Sequence, residues 1–183
     1  MTDGPILKSE RLELRPIEQR DFEGLVRLIE ADSTRRYLGN VPVSRAREFE
    51  RMLRNAGSWR LYGYGGFAVR LLGKEELVAT CSIFRSWREH GNFIQDMPEA
   101  GWIVREDYLG QGIAGEAMAM VLDWFDEAFP ETRIACMIEA GNLPSEKLAS
   151  RLGFTEFARH PLEGPEGADA EMVFYERKGA ADP

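Results

Sequence analysis

The stretch that most limits what this chain can fold into runs from Trp102 to Met118. Its first residues, Trp102-Ile103-Val104, are apolar and β-prone. Gly110, Gly112 and Gly115 then interrupt the chain, and an amphipathic run begins. That order predicts a strand, a tight turn and the start of a helix. Glycine allows a sharp turn and leaves backbone N–H groups uncovered. The helix that follows points its positive dipole end, with its unpaired N–H groups, at the same place. Such a junction is suited to holding a phosphate. Two other readings have to be weighed. Gly110-x-Gly112-x-x-Gly115 formally matches a dinucleotide fingerprint, and Glu139 ends the next strand where a ribose-binding acid would stand. However, the segment from Arg105 to Leu109 separates the strand from the first glycine, and little chain remains for a series of βαβ units. The plainer reading is a glycine turn that only packs a helix on a strand.

Bulk properties narrow the classes. The 183 residues, 44% of them hydrophobic, suit one domain with a sizeable core. No apolar run approaches the ~20 residues of a membrane span, and Met1-Thr2-Asp3-Gly4-Pro5 carries no basic or apolar leader. A cytoplasmic protein without a membrane partner is therefore expected. A net charge of −8 disfavours nucleic acid, which needs a basic face, and suits cationic partners such as amines. Cys81 and Cys136 lie in apolar strand-like runs and read as buried thiols, and two histidines offer almost nothing to a metal site. No metal is expected.

Along the chain, Leu7 to Ile17 alternates as a half-buried first strand. Asp21 caps a helix from Phe22 to about Glu30, residues 35–39 form a linker, and Ser44 caps a second helix from Arg45 to Asn55. Gly57 to Gly66 reads as a loop carrying exposed Trp59, Tyr62 and Tyr64. Phe67–Leu71 and Leu77–Phe84 pair through a turn at Gly73–Glu76. A polar loop from Arg85 to Pro98, containing Trp87, leads to a strand from Glu99 to Val104. A helix from Ala114 to Ala128, a strand from Arg133 to Ile138 and a short helix capped by Asn142 follow. Phe154–His160 and Ala170–Tyr175 make a last strand pair across an acidic loop at Pro161–Asp169, and the tail from Lys178 is expected to be loose. The layout is α+β around one mixed sheet.

Three sets of residues carry a family resemblance. One is Glu99-Ala100-Gly101-Trp102-Ile103-Val104 followed by Tyr108 to Ala117. Another is Asn142-Leu143-Pro144-Ser145 with Leu152-Gly153-Phe154. The third is the opening Ser9-Glu10-Arg11-Leu12-Glu13-Leu14-Arg15-Pro16. Together they resemble the acetyl-CoA-binding core of the GNAT N-acetyltransferase superfamily, with the nearest likeness to its RimJ/RimL-type branch, which acetylates protein N-termini. The resemblance spans about residues 7–176 of a single domain, 1–183. It implies αβα layers with a central sheet of six to seven strands, splayed between the fourth and fifth, and about four helices. It also implies acetyl-CoA as cosubstrate and an amine acceptor, either a peptide N-terminus or a small molecule, in a monomer or homodimer. A CoA-binding protein without catalysis is the alternative from another class.

The resemblance further implies roles. The backbone of Trp102, Ile103 and Val104 would pair with the pantetheine arm. Leu109, Gly110, Gln111, Gly112, Ile113, Ala114 and Gly115 would hold the pyrophosphate. The family pattern there begins with Arg or Gln, and Leu109 departs from it. Glu99, at the start of the strand, is the candidate general base, against the reading of a solvated strand-end acid. Asn142 and Ser145 would face the cofactor. Ser145 Oγ would serve the leaving thiolate or simply make a helix-start hydrogen bond. Many relatives carry a tyrosine seven residues after that asparagine, where this chain has Ala149. Neither Cys81 nor Cys136 has an adjacent base to activate it. Trp59, Tyr62, Tyr64 and Trp87 would wall an amine pocket or else only pack.

Overall fold

A computed structural model describes residues 4–39, 41–87, 94–162 and 171–181. Among them are eight strands, in the order β1-β2-β3-β4-β5-β6-β8-β7, and five α-helices. These are β1 (Leu7–Lys8), β2 (Leu12–Pro16), α1 (Phe22–Leu28), α2 (Asp32–Arg35), α3 (Arg45–Tyr62), β3 (Gly66–Leu71), β4 (Leu77–Phe84), β5 (Glu99–Val104), α4 (Ile113–Ala128), β6 (Ile134–Glu139), α5 (Leu143–Arg151), β7 (Thr155–Pro161) and β8 (Glu171–Arg177). The chain resolves into two compact units. One holds residues 1–84 and 102–124, the other 85–101 and 125–183, so β5 and α4 each contribute to both.

In the first unit, β2 pairs antiparallel with β1 on one side and β3 on the other, and β3 pairs antiparallel with β4. Helices α1 and α3 cover one face through Ile17, Leu25, Leu28, Met52, Ala68 and Leu77. Two sequence expectations fail here for identifiable reasons. The strand expected over Leu7–Ile17 folds back on itself. Ser9 Oγ accepts the Arg11 and Leu12 N–H groups (3.3 and 3.0 Å), and Leu7 comes to lie opposite Leu14. This hairpin adds a strand to the expected count. The helix expected to stop at Asn55 continues to Tyr62, where Gly63 at φ 77° closes it. Met52, Asn55 and Trp59 form one buried stripe. The Trp59 ring meets Phe67 edge-on at 5.0 Å, and its indole N–H donates to Gly66 O at 3.1 Å. That burial outweighs the ~1 kcal/mol cost of Gly57 in a helix. Trp59 and Tyr64 are buried, contrary to the exposed loop expected, and Tyr62 stacks on Tyr64. The supposed linker at 35–39 begins at the end of the one-turn helix α2.

In the second unit, the start of β5 runs parallel to β6 at Glu99↔Ala135 and Ala100↔Cys136. β6 pairs antiparallel with β8, which pairs antiparallel with β7. Ile94, Ala135 and Phe174 make a small core with Met97, Met137, Ala158 and Met172 against it. Asp126 holds Arg177 through two hydrogen bonds of 2.7 and 2.5 Å. The tail is not loose over its described residues. Gly179 is buried against Pro130, whose carbonyl accepts the Ala181 N–H at 2.8 Å. Residues 88–93 of the loop expected at Arg85–Pro98, and residues 163–169 of the one expected at Pro161–Asp169, lie outside the described residues.

Candidate active site

The first unit contains the glycine junction. After Trp102, Ile103 and Val104, all partly buried, Arg105 donates its N–H to Val78 O at 2.9 Å. Its guanidinium then takes two bonds to Asp107 (2.6 and 2.8 Å) and one to Glu76 (2.6 Å), and lies 4.7 Å from the centre of the Tyr108 ring. Asp107 and then Glu76 hold the Arg105 guanidinium more firmly charged than usual, and both carboxyls are held below their usual range by it. These bonds organise a 3-10 turn over Glu106–Tyr108. The five-residue gap that argued against a dinucleotide fingerprint is therefore a built connection.

Gly110 and Gly112 follow at φ 74° and 75°, a left-handed backbone that disfavours side chains. Both are exposed, as is Gln111 between them. The Gln111 side-chain amide donates to Asp107 O at 3.1 Å. α4 makes its first bond from Glu116 N–H to Gly112 O at 3.1 Å, so Ile113, Ala114 and Gly115 present N–H groups with no acceptor in their own helix. Left-handed glycines followed by helix-start donors fit a pyrophosphate, which backbone N–H groups bind without a cationic side chain. Leu109, the departure from the usual pattern, is 53% exposed.

Three residues beneath this loop had no role assigned from sequence. Ser9 Oγ donates to Glu116 Oε1 at 2.5 Å, Arg11 Nε pairs with Glu116 Oε2, and Arg11 Nη1 donates to Gln111 O at 3.0 Å. Burial pushes the Glu116 carboxyl up, but Ser9 and Arg11 outweigh it, and it lies below the usual range. Ser9 and Arg11 belong to the opening motif, yet nothing in their spacing indicates a partner about a hundred residues away.

The second unit contains the other candidates. Glu99 is only 5% exposed and accepts a hydrogen bond from Ser86 Oγ at 2.7 Å. It is a buried, partnered carboxylate, and the reading of a solvated strand-end acid is set aside. Asn142 caps α5, its Oδ1 accepting the Ser145 N–H at 3.4 Å, and Pro144 occupies the first turn. Ala149 is fully buried. Burial first, then the nearby Glu99, pushes the Cys136 thiol up, and burial alone does so for Cys81 in the first unit. Both are poor nucleophiles. Of the four aromatics, Trp59, Tyr62 and Tyr64 pack within the first unit, while Trp87 belongs to the second and is 79% exposed. Among the described residues no cluster of His, Cys, Asp or Glu is arranged to hold a metal, and no helix is long and apolar enough to cross a membrane.

Residues 11–155 match the acetyltransferase (GNAT) domain family. The chain belongs to that family. An uncharacterized N-acetyltransferase, p20 of Bacillus licheniformis, is 28% identical over 152 residues, 81% of each chain. Among solved structures, a GNAT-family acetyltransferase of Bordetella pertussis superposes with TM-score 0.80 at 26% identity, over 94% of this chain and 99% of that one. The RimL ribosomal L7/L12 alpha-N-protein acetyltransferase, in complex with coenzyme A, shares the fold at TM-score 0.74 and 19% identity, over 97% and 100%. The expected GNAT fold is thus present, with eight strands rather than six to seven and five helices rather than four among the described residues. The protein is an acyltransferase of the N-acetyltransferase class.

Proposed function

We propose that this GNAT protein transfers an acetyl group from acetyl-CoA to a primary amine by direct attack. The observation that carries this reading is the pair of exposed left-handed glycines, Gly110 and Gly112, opening directly onto α4. Their N–H groups and those of Ile113, Ala114 and Gly115 hold the pyrophosphate. The edge of Trp102–Val104 lines up the pantetheine arm as an added strand would. Acetyl-CoA supplies the activated thioester. Glu99, held by Ser86, takes the proton of the attacking amine directly or through a water. Asn142 keeps the start of α5 in shape, and Ser145 offers its hydroxyl to the departing sulfur in place of a tyrosine at Ala149. The acceptor assigned here is a peptide N-terminus. It is supported by the opening motif of the RimJ/RimL type and by the shared fold with a ribosomal-protein acetyltransferase. The chain works as one cytoplasmic acetyltransferase domain, consistent with its two buried free thiols.

The test is a melting experiment joined to turnover. A ligand of the native state raises the melting temperature, so acetyl-CoA and CoA should each raise it and NAD should not. Thiol release should follow addition of an N-terminal peptide rather than of small amines. Stabilisation by NAD alone would overturn the cofactor assignment. Release with small amines only would move the acceptor to that class.

A further inference from the structure

A carboxylate in the first turn of α4 is a poor neighbour for a phosphate, because like charges repel where the helix dipole should attract. Glu116 stands there and is kept ionised by Ser9 and Arg11. Its value must come from what it does to the loop. Arg11 is the link. One of its nitrogens holds Glu116 and another holds the Gln111 carbonyl, while Nη2 comes within 3.4 Å of where a Cβ on Gly112 would be. In a trans peptide the carbonyl and the next N–H point in opposite directions. With the Gln111 carbonyl turned towards Arg11, the Gly112 N–H points away from it.

We propose that Ser9, Arg11 and Glu116 form a clamp that orients the Gln111–Gly112 peptide so that its N–H faces the pyrophosphate. Arg11 is a positioning residue and not itself a phosphate ligand. Its charge is spent on Glu116, and the carbonyl it holds lies on the opposite side of the peptide from the donor. The hairpin turn at Ser9–Arg11 thus has a task in a loop far along the chain. The inference rests on the acetyl-CoA reading above.

Two variants test the clamp, and the first gives the opposite sign from a direct cation–phosphate contact. Glu116→Gln keeps the shape but weakens the ion pair. If Arg11 touched the phosphate, removing the competing carboxylate would tighten CoA binding. The clamp requires the reverse, a Kd for CoA weaker by about tenfold, the scale of one charge-assisted hydrogen bond. Arg11→Lys keeps the charge but cannot hold Gln111 O and Glu116 together. It should also weaken CoA, and the double variant should be little worse than the weaker single, since both act through one contact set. The KM for acetyl-CoA should rise in step, while kcat and the KM for the acceptor stay near wild type. Tighter or unchanged CoA binding in Glu116→Gln overturns the clamp, as does a uniform loss of kcat with a falling melting temperature, which would mark a purely structural role. Wild-type protein that binds no CoA would overturn the parent reading, and the clamp with it. Wild-type binding with indifferent variants would overturn the clamp alone.

Discussion

The glycine loop of the first unit and the proposed acid–base residues of the second would carry function in different materials. In the loop the groups offered to the proposed ligand are backbone N–H, with side chains bonded behind them. Arg105 winds the approach, Arg11 holds a carbonyl, and the position at which the family usually has Arg or Gln is an exposed leucine. In the second unit the proposed groups are side chains, Glu99 held by Ser86 and Ser145 at a capped helix start. A backbone site tolerates most side-chain changes but not a change of φ. A side-chain site tolerates neither loss of charge nor loss of the group. Substitutions of each kind should therefore have effects of very different size.

The largest effect belongs to Glu99→Gln. The amide keeps the shape and can still bond Ser86, but it cannot accept a proton. Loss of a general base lowers rate by about 10²–10⁴. Acetyl-CoA affinity should stay near wild type, because the loop donors are untouched. Ser145→Ala should fall less, since water can serve a thiolate that leaves readily. The measurement is kcat/KM for both variants beside calorimetric Kd for CoA. If Glu99→Gln retains more than about a third of the wild-type rate, well short of that expected loss, the proton goes elsewhere and the contrast between the units weakens.

Next in size is Gly112→Val. Valine at φ 75° strains the backbone by about 1–2 kcal/mol, and a branched side chain there crowds whatever the neighbouring N–H groups hold. CoA affinity should fall by about tenfold or more, opposite in pattern to Glu99→Gln, with the acceptor KM little changed. Because a Cβ at this position would meet, among the described residues, only Arg11 Nη2 within 4 Å, the fold should survive, and circular dichroism would verify that. A folded variant with unaltered affinity would remove the phosphate role from the loop.

The two regions were also unequally legible in the sequence. The loop could be read because glycine spacing before an amphipathic run is a local pattern with a local cause. Glu99 could be placed at a strand start, but its burial and its bond to Ser86 depend on how distant segments meet. Local pattern ends α3 at Asn55 because Gly57 signals a break, and the Trp59 contacts with Phe67 and Gly66, absent from any local pattern, override it. The hairpin at Ser9 leaves no mark in the sequence, because alternation in Leu7–Ile17 is the same whether the strand is straight or folded at a serine. The Ser9–Arg11–Glu116 contacts are invisible in the sequence for a different reason: they join residues that sequence proximity never brings together.

The smallest effect expected is the one that most sharpens the comparison. Leu109→Gln restores the side-chain type the family usually places first in this loop. Were that side chain a principal phosphate ligand, restoring it should tighten CoA by the worth of a hydrogen bond to a charged group, about tenfold. A backbone site predicts otherwise. Leu109 precedes Gly110 in extended backbone (φ −63°, ψ 151°), a conformation glutamine adopts as easily as leucine, so the glycines and the start of α4 should keep their geometry. Its N–H donates to Glu106 O at 3.1 Å whatever the side chain. Being about half exposed, the leucine contributes little packing that glutamine would lose. The Kd for CoA should then change by less than about threefold, within the range of an ordinary surface substitution, and kcat should not move. A tightening near tenfold would show that this loop works through its side chains, as is proposed for the second unit.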